Sequence, residues 1–332
     1  MPRKKANHLF ESVAEMDNLR LAFWKARKGK SYARSVEHYR SELENNLARL
    51  REQILCGQVE VGNYHLFKIF DPKERQICAP AFSEQVLHHA LMNVCHEYFE
   101  RVQVFDSYAC RLGKGTYAAL DRAKCFTENN GWFLKLDIRK FFDSVHHGVL
   151  KNQLDRRFKD WEVLRIFEKI IGSYHTEPGR GLPIGNLTSQ YFANHFLNGL
   201  DHFVKNDLRA RGYVRYMDDL VLWHDDKRFL KNALAEIDGH VQTSLRCTLK
   251  PPSLNHTDRG LTFLGYRLFP DRVLLAQNSK RRFIRKYHEI ERNRLTGNWD
   301  EAYCQRKVLP LLAFVRHADT LEWRKKILLP KE

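Results

Sequence analysis

Residues 213–224 read Tyr-Val-Arg-Tyr-Met-Asp-Asp-Leu-Val-Leu-Trp-His, two apolar, β-rich arms around adjacent carboxylates. The arms predict a hairpin with Asp218 and Asp219 at its tip. An Asp-Asp pair is commonly a solvated turn, and Asp225-Asp226 just downstream is expected to be one, capping the next helix. The first pair differs in its setting. Neighbouring carboxylates held against apolar strands are costly unless cations neutralise them. A further acid, Asp137, ends the apolar stretch 132–138, Trp-Phe-Leu-Lys-Leu-Asp-Ile, which reads as a short strand. Neighbouring strands lie about 4.8 Å apart, so acids at the ends of two of them could share metal ions. Nucleotidyl transfer asks for that arrangement, with two divalent ions serving the attacking and leaving oxygens.

Charge supplies the partner. Lys and Arg number 56 against 40 Asp and Glu, a formal charge of +16 over 332 residues. A polyanion is the natural counterpart, because phosphate contacts release condensed counterions. The apolar fraction of 43% and aromatic fraction of 12% predict a folded chain with room for several subdomains. No run of 18 apolar residues occurs, so no membrane span is expected. The basic start, Met1-Pro2-Arg3-Lys4-Lys5, leads into no apolar stretch, which argues against a secretory signal. Seven scattered cysteines without a Cys-x-x-Cys pair argue against disulfides and structural zinc and fit the cytoplasm.

Along the chain, residues 1–62 read as charged helices, with Leu43, Leu47, Leu50 and Ile54 giving 39–55 an apolar stripe. Strands are predicted over 64–70 and 75–79 around an Asp71-Pro72 turn. A helix over 83–99 has Ser83 as its expected cap, and His88, His89 and His96 on it read as ordinary helix residues. A Gly- and basic-rich loop, 107–116, precedes a helix over 117–129. A helical region is predicted after the 132–138 strand, to about Ile171, then one long helix over 186–211 and another over 227–245. Residues 261–268 and 272–276 read as a second hairpin around Pro270-Asp271, and the chain is helical and very basic from Asn278. The alternation makes this an α+β protein with a small sheet carrying the acids.

In this setting Tyr216-Met217-Asp218-Asp219 resembles the Y-x-D-D signature of reverse transcriptases. Five further motifs of that family follow the same order. Arg75-Gln76-Ile77 and residues 107–116 resemble the two fingers motifs. Residues 136–143, Leu-Asp-Ile-Arg-Lys-Phe-Phe-Asp, resemble the palm motif with its first metal-binding aspartate. Residues 181–190, Gly-Leu-Pro-Ile-Gly-Asn-Leu-Thr-Ser-Gln, resemble the motif contacting template and nucleotide, and Phe263-Leu264-Gly265-Tyr266 resembles the primer grip. The resemblance covers roughly residues 65–270. It implies a right-hand polymerase with a small antiparallel palm sheet and a short helical thumb: an N-terminal helical extension (1–62), fingers (63–135), palm (136–270, with a fingers insertion at about 150–182) and thumb (271–332).

The resemblance also implies roles. Asp137 and Asp218 would bind two Mg²⁺ ions, with Mn²⁺ as a substitute, supported by Asp219 and the Ile138 carbonyl. Arg111 and Arg75 would hold the triphosphate of a dNTP, and Lys250 would protonate the leaving pyrophosphate. Phe142 stands at the steric gate that rejects a 2′-hydroxyl. Ile184, Gly185 and Gln190 would line the nucleotide. Relatives commonly carry Pro-Gln-Gly and Ser-Pro where this chain has Pro183-Ile184-Gly185 and Ser189-Gln190. That departure resembles the reverse transcriptases of diversity-generating retroelements. The resemblance then implies copying of a template repeat RNA into cDNA with errors at adenines, and mutagenic retrohoming into a target gene. It also implies a structured element-encoded RNA and a small basic helical accessory protein as partners, in the cytoplasm of a bacterial or phage-infected cell. The alternatives are a retron or group II intron type enzyme, and, from another class, a non-catalytic RNA-binding scaffold.

Overall fold

The computed structural model describes residues 8–70 and 74–328, so the Asp71-Pro72 turn and the basic start lie outside the described residues. The chain forms two compact units and passes between them five times. The first comprises Met1–Phe105, Ile138–Asp207 and Glu236–Lys250, the second Asp106–Asp137, Leu208–Ala235 and Pro251–Glu332.

The first unit is mainly helical. Helix Phe82–Glu100 buries Val86, Leu87, Ala90, Leu91, Cys95 and Phe99 and packs against helix Met16–Arg27. Phe99 centres an aromatic cluster, with ring centroids 5.2 Å from Phe158, 5.6 Å from Tyr191 and 6.1 Å from Phe167. Strands β1 (Tyr64–Phe70) and β2 (Glu74–Pro80) form an antiparallel hairpin, with Tyr64 opposite Pro80. Ser83 does not cap its helix: β2 runs into Pro80, the chain turns at Ala81, and the helix starts at Phe82, leaving Ser83 inside the first turn. The helix expected over 39–55 is divided at Glu42, whose φ of −123° leaves the helical range, between helices Arg34–Ser41 and Leu43–Leu55; the stripe of Leu43, Leu47, Leu50 and Ile54 lies wholly on the second. The single long helix over 186–211 is instead Leu187–Phe196, Asn198–His202 and a π-helical turn, Phe203–Asp207.

The second unit holds the remaining strands: β3 (Trp132–Asp137), β4 (Gly212–Tyr216), β5 (Asp219–His224), β6 (Ser253–His256), β7 (Leu261–Phe263), β8 (Tyr266–Leu268) and β9 (Val273–Leu275). The first four make an antiparallel sheet ordered β4-β5-β3-β6, and the last three a second sheet ordered β7-β8-β9. The expected single hairpin over 261–276 is therefore three strands, because the two-residue turn at Leu264-Gly265 reverses the chain once before Pro270 does so again. Strand alternation puts Phe133, Val214, Val221 and Trp223 on one face. They share a core with helix Thr116–Glu128, with Phe263, Tyr266 and Leu268, and with Phe283 and Val315 of the C-terminal helices Gln277–Leu295 and Glu301–Arg316. Among the described residues no helix is long and apolar enough to cross a membrane.

Candidate active site

Asp137 is the last residue of β3 and Asp219 the first of β5, and the two are direct register partners. Tyr216 in turn faces Asp219 across the β4–β5 ladder, so the connecting loop is just Met217-Asp218. The expected tip is corrected by one residue: Asp218 occupies the turn, while Asp219 already belongs to the ladder. Met217 carries the turn with φ of 53°, a left-handed conformation that usually falls to glycine in a two-residue hairpin loop. The fully buried Arg215 donates from Nη1 to the Met217 carbonyl at 3.1 Å. All three acids thus stand at one end of one sheet, within the second unit.

Their electrostatics follow from that crowding. The Asp219 carboxyl is pushed up to about 6, first by burial and further by the charges of Asp137 and Asp218, with Lys135 opposing. Lys135 Nζ approaches Asp219 Oδ1 at 3.1 Å. That oxygen is buried and accepts no well-directed hydrogen bond, so the contact is an ion pair that leaves acceptor capacity unused. The donors at this end of the sheet are hard oxygens, the type that Mg²⁺ and Mn²⁺ prefer. Among the described residues no three His, Cys, Asp or Glu side chains are already gathered tightly enough to hold a metal by themselves. The set fits an ion that takes few protein oxygens and completes its shell with phosphate and water.

The loop 107–116 belongs to the same unit. Ser107 bridges to Arg215 in parallel, Tyr108 N donates to the Arg215 carbonyl at 2.9 Å, and Thr116 Oγ1 donates to the Tyr216 hydroxyl at 3.2 Å. Arg111, expected at the triphosphate, folds back on its own loop, Nη1 to the Ser107 carbonyl at 2.7 Å. Phe263 and Tyr266 are fully buried core residues flanking the Leu264-Gly265 turn, where φ is 48° and 88°.

The other expected residues lie in the first unit. Cys78 N of β2 donates to the Ile184 carbonyl at 2.7 Å, and a Cβ on Gly185, whose φ is 127°, would meet the Cys78 carbonyl at 2.8 Å. Leu182 N donates to the Phe142 carbonyl at 2.8 Å. Phe142, β2 and residues 182–185 are thereby drawn together. Arg75 lies exposed on β2 opposite Ile69, and Gln190 is half-buried in helix Leu187–Phe196. Ile138 is fully buried and bridges to Leu249, beside Lys250. Sequence reasoning passed over Lys135 and Arg215. Lys135 sits two residues before Asp137, hence on the same strand face, and that spacing was the available signal.

Solved structures share this architecture. The telomerase of Candida Tropicalis, in complex with a fragment of telomeric RNA, superposes with a TM-score of 0.53 at 12% identity, over 84% of this chain and 58% of that one. The apo telomerase truncated of its C-terminal domain matches at 0.50 and 13%. These likenesses define the fold as that of the right-hand polymerases. The family model described as reverse transcriptase (RNA-dependent DNA polymerase) matches residues 71–268, more than half of the chain. The chain therefore belongs to the reverse transcriptase family, and with it to the RNA-directed DNA polymerases. Among curated proteins it is similar to Protein YkfC of Escherichia coli (23% identical, 66% of this chain, 71% of that protein). It is likewise similar to the group II intron-encoded protein LtrA of Lactococcus lactis (25% identical, 66% of this chain). It spans only 39% of LtrA.

Proposed function

We propose that this chain copies an RNA template into cDNA at the β3–β5 acids, as the polymerase of a diversity-generating retroelement. The observation that carries the polymerase reading is the pairing of Asp137 with Asp219 and the placement of Asp218 in the adjoining turn. In this reading Asp137 and Asp218, with the Ile138 carbonyl and support from Asp219, hold two Mg²⁺ ions. Such ions supply charge neutralisation at the attacking and leaving oxygens. Arg75 and Arg111 bind triphosphate oxygens, for which the guanidinium fork is suited. Lys250 donates a proton to pyrophosphate, and Phe142 excludes the 2′-hydroxyl. The hairpin around Phe263–Tyr266 seats the primer, and the basic C-terminal helices grip the duplex through phosphates. The spans 63–135, 136–270 and 271–332 serve as fingers, palm and thumb.

The retroelement reading rests on Ile184 and Gln190. An isoleucine offers no polar contact to an incoming nucleotide, so base-pair geometry is policed less strictly. Primer extension on a primed RNA template with Mg²⁺ and dNTPs tests the polymerase reading. Wild type incorporates, and Asp137→Asn and Asp218→Asn each lose incorporation by several orders of magnitude. RNA binding without incorporation, even with accessory protein and element RNA supplied, would favour the scaffold. Ile184→Gln is expected to lower misincorporation opposite template adenine; an unchanged error rate removes this role for Ile184. The likeness to LtrA supports a second reading, a group II intron type enzyme, in which the wild type copies adenines faithfully.

A further inference from the structure

Strand alternation places Phe133, Lys135 and Asp137 on one face of β3, and Asp219, Val221 and Trp223 on the same face of β5. Phe133, Val221 and Trp223 pass into the apolar core. Lys135 is the exception, a cation in an apolar row. Its side chain is about three-quarters enclosed, and its ammonium lies 3.1 Å from Asp219 Oδ1, 2.9 Å from the Thr262 carbonyl of β7, and 5.9 Å from the centre of the Phe263 ring. An ion pair, one carbonyl acceptor and an aromatic face hold the ammonium in place beside the acid cluster. The stem alone would be served as well by methionine, so packing gives no reason for the charge.

We infer that Lys135 is a positioning residue that occupies the Asp219 carboxylate as an internal cation and competes with a divalent metal for it. This inference rests on reading the three acids as a metal site. A single positive charge anchored to the Thr262 carbonyl draws Asp219 along its own strand face. A divalent ion shared with Asp137 and Asp218 must displace that pairing or do without Asp219. Lys135 thereby keeps Asp219 in a supporting place and sets a threshold on metal entry.

The test is Mn²⁺ titration of the full chain, read by the loss of the free-ion electron paramagnetic resonance signal, with primer extension run in parallel. Lys135→Met is expected to bind Mn²⁺ about fivefold more tightly than wild type, the factor that loss of a partly exposed ion pair allows. Lys135→Arg, which keeps the charge, returns the affinity to the wild-type value. Adding Asp219→Asn to Lys135→Met abolishes the gain. Unchanged or weaker binding in Lys135→Met overturns the inference, and so does a gain that survives Asp219→Asn, since it would then arise from general charge alone. If wild type binds Mn²⁺ and extends primers while Lys135→Met changes nothing, only the role of Lys135 falls. If wild type neither binds Mn²⁺ nor extends primers, the metal-site reading falls with it.

Discussion

Asp219 carries a cost that its neighbours only partly offset. Burial and the two nearby acids raise its carboxyl from an ordinary 3.8 to about 6. The folded chain therefore holds this proton more tightly than the unfolded chain. By linkage, stability falls as pH rises from about 4 to about 6, and the penalty is fully present above 6. Asp219→Asn removes the titration together with the Lys135 pairing, which at roughly a quarter exposure is worth at most about 1 kcal/mol. The net expectation is a variant more stable than wild type by on the order of 1–2 kcal/mol at pH 8. The difference should close by pH 4. Thermal melts of both proteins in chelator across that range check it, and a variant less stable than wild type at pH 8 would contradict the assignment. The acids were legible in the sequence because charge inside an apolar, β-rich stretch has few explanations. For Lys135 the sequence offers only its spacing from Asp137, which puts both on one strand face; its pairing with Asp219 depends on the β3–β5 register.

At the level of elements, what could be read locally was read closely and what depended on packing was not. β1 matched its expected span, and the strand ending at Asp137 was one residue shorter than the sequence suggested. Both rest on apolar, β-branched and aromatic runs bounded by turn residues. The Ser83 cap failed because the approach of β2 fixes where the helix begins. Asp160, which sequence reasoning did not single out, does the capping that matters. Its Oδ1 accepts from Val163 N at 3.2 Å, capping helix Trp161–Gly172, while Oδ2 accepts from Leu9 N at 2.7 Å and Phe10 N at 3.0 Å. One buried carboxylate thus ties two segments 150 residues apart. Asp160→Ala leaves three backbone donors without this acceptor and is expected to cost about 2–4 kcal/mol. Asp160→Asn, which retains acceptor oxygen, should lose less; chemical denaturation of both variants ranks them. In the β7–β8 turn, a Cβ on Gly265 would stand 2.9 Å from Ser279 Oγ and 3.0 Å from Phe314 Cζ, at φ of 88°. Gly265→Ala should therefore cost about 1–3 kcal/mol through backbone strain and displaced neighbours. The same melts measure it.

Over the whole molecule, the order of motifs along the chain and their distribution between compact units do not coincide. The division runs between Asp137 and Ile138, adjacent in sequence and expected to serve one metal site. The span read as one palm, 136–270, is shared by both units, and the family motifs are shared likewise. Periodicity and turn chemistry report on stretches of ten or twenty residues, so they locate motifs but cannot say which non-contiguous segments condense together. Net charge has no such limitation, because it sums over the chain whatever the topology. In the proposed reading, a charge of +16 predicts a template–primer affinity that depends steeply on salt. For six or more phosphate contacts, affinity should fall on the order of a thousandfold between 50 and 200 mM monovalent salt, linearly in a log–log plot. Replacing Arg281 and Arg282 together, in the first turns of helix Gln277–Leu295, is expected to flatten that slope by up to about 2 while leaving discrimination among template sequences unchanged, because phosphate contacts carry no sequence information. Fluorescence anisotropy with a labelled RNA–DNA hybrid at four or more salt concentrations measures the slope. An unaltered slope would remove this helix from the duplex-gripping surface and leave its charge to another polyanion.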